Sequence, residues 1–178
     1  MKGIRTRIFV GCEGASERSY IRWLQALADE QNKSVHFDPH IAGGGDPLSV
    51  VEQSLTKMKA QERKTRKYKH RAILFDTDKI GQSPQRDAQI PVRLKGQNIS
   101  LLSQEFDHEA LLLRHFKNCH TLRPPKKRSL VELKKRWPEY DKPADSLELG
   151  KRLSLADFER MLGVEPAFND FFRTLVIT

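Results

Sequence analysis

An α/β fold, with a mainly parallel central sheet flanked by helices and a helical C-terminal extension, is predicted from three features of this 178-residue chain. Short apolar runs rich in β-branched residues recur between segments of helical periodicity, the alternation expected of strand-helix-strand units. One run, Ala72 to Phe75, is continuously apolar, as strands covered on both faces are. After Pro124 and Pro125 the strand signals stop until the last residues, and only helical spacing follows. The expected division is an α/β domain over residues 1–122 and a helical extension over 123–178 packed on it.

The elements follow in order. Thr6 to Cys12 (TRIFVGC) reads as a buried strand bounded by Gly11 and Gly14. From Glu17 to Gln31 the period becomes helical, with Tyr20, Leu24 and Leu27 on one face and Ser16 as expected N-cap. Ser34 to Ala42 alternates as a second strand, and Pro39 places it near an edge. Asp46 and Pro47 open a helix with apolar residues at Leu48, Val51, Leu55 and Met58, running to about Lys67. The Ala72 strand ends at FDTDK, and Asn98 to Gln104 forms a fourth strand. Asp107 to Phe116 is a helix apolar nearly all round, hence deeply packed. In the extension, Ser129 and Glu132 have capping-box spacing. Leu155, Phe158 and Met161, then Phe168, Phe171, Phe172 and Leu175, mark two more helices.

Composition narrows the function classes. No apolar run approaches the ~20 residues that span a bilayer, and the N-terminus lacks a secretory apolar region. Cys12 and Cys119 are the only cysteines, too few for a disulfide framework or a four-ligand zinc site, which fits a reducing cytoplasm. The six histidines show no zinc spacing. A net charge of +9 and a pI of about 9.7 favour an anionic partner, most often nucleic acid.

Carboxylates collect where an open α/β sheet binds ligands, beyond the carboxyl ends of the strands. Glu13 and Glu17 follow the first strand, Asp76 and Asp78 the third, and Glu105, Asp107 and Glu109 the fourth. In an extended segment Asp76 and Asp78 face the same side, with Thr77 opposite. Close carboxylates repel unless a cation lies between them, and Mg²⁺ or Mn²⁺ suits hard oxygen donors. Glu17 in a first helical turn also benefits from the helix dipole. Each acid has an ordinary structural explanation alone; their coincidence at three strand ends points to a metal site. Two ions about 4 Å apart would suit phosphodiester cleavage.

The pattern resembles the Toprim fold, and more narrowly the RloB-like proteins and the Toprim nucleases of the OLD family. The Toprim hallmark, a glutamate after the first strand and Asp-x-Asp after the third, matches Glu13 and Asp76-Thr77-Asp78. CEGASERSY is similar to an RloB-like CEG-x-[ST]-E-x-x-Y signature through Cys12, Glu13, Gly14, Ser16, Glu17 and Tyr20. EALLLRHF, from Glu109 to Phe116, resembles that group's FE-[LI]-W-LLLHF helix, with His108 and Ala110 in place of its Phe and Trp. The family's Ser-Asn-Pro is replaced by SQEFD, so Asp107 and Glu109 are alternatives for one place in the site. The resemblance covers residues 5–120 and extends weakly into the tail.

That resemblance implies an Mg²⁺-dependent (or Mn²⁺-dependent) nuclease of prokaryotic defence against phage, cytoplasmic and working with an AAA or ABC-type ATPase. Glu13, Asp76 and Asp78 would be catalytic; Glu13, Glu17, Asp76, Asp78 and Glu109 would hold one or two metals. Glu13 could instead serve as general base or acid. Two basic stretches could hold phosphates without reading bases: Lys57 to Arg71, and the segment with Arg123, Lys126, Lys127 and Arg128, which follows the Glu109 helix. A solvated helix face explains the first equally well. A homo-oligomer is compatible with the same reading. AGGGDP lacks the Lys of a phosphate loop and reads as a turn. Cys12, Trp23, Trp137, His108, His115 and His120 read as packing or surface residues. The competing reading is a non-catalytic Toprim-fold module that binds nucleic acid or regulates a partner. A topoisomerase or primase would need further domains.

Overall fold

The computed structural model describes residues 4–125 and 128–175. Lys126, Lys127 and the expected strand at the chain's end lie outside the described residues. The described order is β1 (Thr6–Cys12), α1 (Ala15–Glu30), β2 (Val35–Ile41), α2 (Pro47–Lys64) and β3 (His70–Asp76). Then come α3 (Pro84–Asp87), α4 (Gln89–Leu94), β4 (Ser100–Gln104) and α5 (His108–Leu113). The tail holds α6 (Ser129–Lys134), α7 (Ser146–Arg152), α8 (Leu155–Leu162) and α9 (Pro166–Thr174).

The four strands form one sheet, all parallel, in the order β2-β1-β3-β4. Strand β2, carrying Pro39, is an edge as expected. The register sets Cys12 beside Ile41 and Leu74, and Asp76 beside Gln104, so the carboxyl ends finish together. Alternate side chains feed two separate cores, as the two-residue period of a strand requires. Ile8, Val10, Cys12, Ala72, Leu74 and Leu102 join α1 on one face, while Phe9, Ile73 and Phe75 join α2 on the other. Strands β1 and β3 therefore flank a topological switch point, where the connecting helices change face. Gly11 permits the close approach of α2: a Cβ there would lie 2.3 Å from Ser54 Oγ.

The helical tail completes the α1 face. Leu133, Trp137, Tyr140, Leu149, Phe158, Phe168 and Phe172 share one core with Ile8, Val10 and Trp23. Phe172 lies 5.2 Å from Phe158 and 6.0 Å from Phe37 of β2, ring centre to ring centre. Burying each such ring contributes roughly 1.5–3 kcal/mol. Charge also fastens the tail. Fully buried Arg114 is 3.0 Å from Glu165 and 3.4 Å from Glu105, and Arg123 reaches both acids.

Several local expectations change. Helix α1 begins at Ala15 with Gly14, not Ser16, as N-cap, because Glu17 reaches back to the Gly14 N–H and Ser16 is buried. Helix α2 stops at Lys64, where Thr65 turns to an extended conformation and its hydroxyl donates to Gln61 O. The Ser129–Glu132 capping box does not form: Arg128 is the N-cap, and Ser129 is already helical and buried. Between β3 and β4 lie two short helices, α3 and α4.

Candidate metal site at the carboxyl edge of the sheet

The site begins at Glu13, the residue after β1. Its N–H donates to Leu74 O at 3.1 Å, which continues the β1–β3 pairing and fixes the backbone. Its carboxylate is engaged at both oxygens. Oε2 accepts from Asp76 N at 3.1 Å, and Oε1 from Lys79 Nζ at 3.3 Å. Glu17 occupies the third helical position of α1. Its Oε2 accepts from Gly14 N at 2.9 Å, so capping holds a carboxylate that is 4% exposed. Asp76 ends β3, between Glu13 and the end of β4.

A buried amide ties these acids together. Gln104 Nε2 donates to Asp76 Oδ1 at 2.9 Å and to Glu17 Oε1 at 3.3 Å. The amide is oriented by His108, whose Nδ1 lies 2.7 Å from Gln104 Oε1. Burial lowers the pKa of His108, which favours the neutral ring. Neutral His108 then donates from Nδ1 and leaves the Gln104 amino group turned to the acids.

The electrostatics follow from crowding. Burial, then the charges of Glu17 and Glu13, push the Asp76 carboxyl up to about 9, against the opposing pull of Lys142. Glu109 behaves oppositely. Burial alone would raise its pKa, but Lys142 and Tyr140 hold it below its ordinary value. Lys142 Nζ lies 2.9 Å from Oε1 and 3.1 Å from Oε2, and Tyr140 OH donates to Oε1 at 3.0 Å. Burial would lower Lys142, yet Glu109, Asp76 and Glu17 raise it, so its charge acts on the cluster from the tail.

The remaining acids take other positions. Strand β3 ends at Asp76, so the extended alternation proposed for Asp76 and Asp78 does not apply. Asp78 lies in the following turn, with its N–H donating to Phe106 O at 3.0 Å. Asp107 caps α5 through Ala110 N at 2.9 Å, and burial raises its pKa. Glu105 pairs with Arg114 and Arg123. Among the described residues, no three His, Cys, Asp or Glu side chains are gathered closely enough to hold a metal ion. The donor chemistry of Glu13, Glu17 and Asp76 nevertheless fits a hard divalent cation: all are carboxylates, and the cluster is short of positive charge at Asp76.

Of the proposed phosphate contacts, Arg123 is paired with Glu105 at 2.5 Å and Glu165 at 3.2 Å, whereas Arg128 is exposed at the start of α6. Five residues at the acids were not anticipated: Lys79, Gln104, His108, Tyr140 and Lys142. Lys79 directly follows the Asp-x-Asp triplet and could have been suspected. Nothing local marks Tyr140 or Lys142, which lie 31 and 33 residues from Glu109.

A family model described as RloB-like protein matches residues 8–160, from within β1 into α8. The chain belongs to the RloB-like family. The match takes in Glu13, Glu17, Asp76, Gln104, Glu109 and Lys142 of this RloB-like chain, so it spans both the sheet and the tail side of the cluster. No curated protein and no solved structure matches it. Among its described residues, no helix is long and apolar enough to cross a membrane.

Proposed function

We propose that this RloB-like chain is a Toprim-type, divalent-metal-dependent nuclease that hydrolyses phosphodiester bonds of DNA or RNA in prokaryotic defence against phage. We place it in the cytoplasm, working with an AAA or ABC-type ATPase. The observation that carries the reading is the linking of Glu13, Glu17 and Asp76 at the switch point through the Asp76 N–H and the Gln104 amide, with Asp76 raised by burial and then by their charge. These three would hold Mg²⁺ or Mn²⁺, with Asp78 and Glu109 as outer members of the set. When bound, the metal would supply an activated water and stabilise the leaving oxygen. The chain's own residues hold the acids in place: Gln104, oriented by His108, spans Glu17 and Asp76, and Lys142 tempers the charge. Exposed Arg128, with Lys126 and Lys127, would meet the phosphate backbone, and a second copy of the chain could extend that surface.

The second reading, a binding or regulatory module without cleavage, is favoured by one observation: Lys79 and Lys142 already pair with Glu13 and Glu109. Plasmid and RNA cleavage with Mg²⁺ or Mn²⁺ sorts the two. The nuclease reading expects cleavage that falls at least a hundredfold in Glu13→Ala and Asp76→Ala, on the order of losses from removing a key catalytic group. Cleavage unchanged by both substitutions sinks the site. No cleavage, even with the ATPase present, selects the module.

A further inference from the structure

Lys79 is placed in a way its contribution to stability does not explain. Its side chain is 39% exposed, and an ion pair so exposed contributes little to folding. Yet the ammonium is held at two points. It lies 3.3 Å from Glu13 Oε1 and donates to Gly45 O at 2.7 Å. Glu13 Oε2 is already taken by the Asp76 N–H, so Lys79 occupies the remaining carboxylate oxygen. An ammonium and a divalent cation are alternative counter-charges for that oxygen, and the ammonium can swing to solvent at small cost.

Gly45 belongs to the glycine loop between β2 and α2. Gly43, Gly44 and Gly45 have φ of +100°, +72° and +113°, and a Cβ on Gly44 would meet nothing within 4 Å. The loop is fastened to Glu13 twice: Gly44 N donates to Glu13 O at 3.0 Å, and Lys79 bridges Gly45 O to the Glu13 carboxylate. Removing Lys79 leaves only the backbone bond.

We propose that Lys79 is a built-in competitor for the divalent cation at Glu13, and that it latches the Gly43–Gly45 loop against the site until the cation displaces it. The inference rests on the metal-dependent reading above. It makes the free chain a closed state in which an internal lysine stands at the metal's oxygen, and it couples cation binding to release of the loop that leads into α2.

The test measures Mn²⁺ binding to the full chain by calorimetry, with hydrogen exchange of residues 43–45 as a second readout and circular dichroism to confirm folding. Lys79→Met should bind Mn²⁺ about fivefold tighter than the parent, the ratio expected for losing one exposed ion pair. Lys79→Arg, which keeps the cation, should bind like the parent. Loop exchange should rise when Mn²⁺ is added to the parent, and should already be raised in Lys79→Met without it. Equal or weaker binding by Lys79→Met overturns the latch. So does equal tightening by Lys59→Met, which removes the same charge from an exposed site on α2. The metal reading is checked separately by Asp76→Asn, which leaves Lys79 in place. If the parent binds no Mn²⁺, or Asp76→Asn binds as well as the parent, the acids hold no metal and the latch falls with them.

Discussion

Asp76→Asn is expected to stabilise the metal-free protein, and the gain should depend on pH. The Asp76 carboxyl is raised from 3.8 to about 9 by burial and by Glu17 and Glu13. Between those two values the folded protein holds a proton that the unfolded chain has released. Unfolding there releases a proton, so stability falls as pH rises through the window. Each pH unit corresponds to about 1.4 kcal/mol, which sets an upper bound of roughly 4 kcal/mol by pH 7. Relaxation and water reduce a buried-charge penalty, so a net cost of about 2 kcal/mol is the working value. Asparagine keeps the Oδ1 acceptor that Gln104 donates to and adds no charge. Urea unfolding in EDTA should therefore show Asp76→Asn more stable than the parent by about 2 kcal/mol at about pH 8, or ~4–8 °C in melting temperature. The difference should shrink toward zero as pH falls below about 3, where the carboxyl is protonated in both states. A substitution that destabilises at pH 8, or a difference that ignores pH, would refute the claim that burial and the neighbouring acids disfavour the charged form of Asp76.

Two further outcomes concern the frame around the site. Glu165→Ala should cost about 3–5 kcal/mol in urea unfolding, because among the described residues it leaves Arg114, wholly buried, with Glu105 as its one remaining ion-pair partner; a loss under about 1 kcal/mol would show that the network does not fasten the tail. Gly11→Ala should cost about 1–3 kcal/mol by forcing β1 and α2 apart, and adding Ser54→Gly should recover most of it, since Ser54 Oγ and Cβ are the atoms at 2.3 and 2.7 Å. A double variant no more stable than Gly11→Ala would exclude that contact as the cause.

The strand and helix sequence was legible because it depends on local periodicity. Ile8, Val10 and Cys12 alternate with Phe9 and Gly11, and that alternation is what divides the two cores. Glu13, Glu17 and Asp76 were legible as a set because strand ends of a parallel sheet must share one edge. Ends of elements were less so: the choice between Ser16 and Gly14 as N-cap turned on where Glu17 points, which spacing leaves open. Asp78 shows the same limit. The alternation rule holds only while the backbone stays extended, and the strand stops two residues before it. Gln104 and His108 looked like a strand end and a packing histidine. Their role appears only when β4 is laid beside β3 and the amide falls between two carboxylates.

The least legible part of the site comes from the tail. Lys142 and Tyr140 belong to the chain beyond the last strand, yet they set the state of Glu109, and the Lys142 charge acts on Asp76 and Glu17. The same tail closes the α1 core with Trp137, Phe158 and Phe172, and is pinned by Glu165 to Arg114 of the α5 segment. A tail that only covered apolar surface would have no need to deliver a lysine to buried acids. A lysine placed by a loop alone would lack the rigid support that the shared core gives it. Packing and charge thus have one source: the helices that bury the α1 face also fix the cation at the edge of the acidic cluster. The family match agrees in extent, since its bounds, residues 8–160, reach from β1 into α8. The unit on which the site's electrostatics depend is accordingly the sheet together with its helical tail.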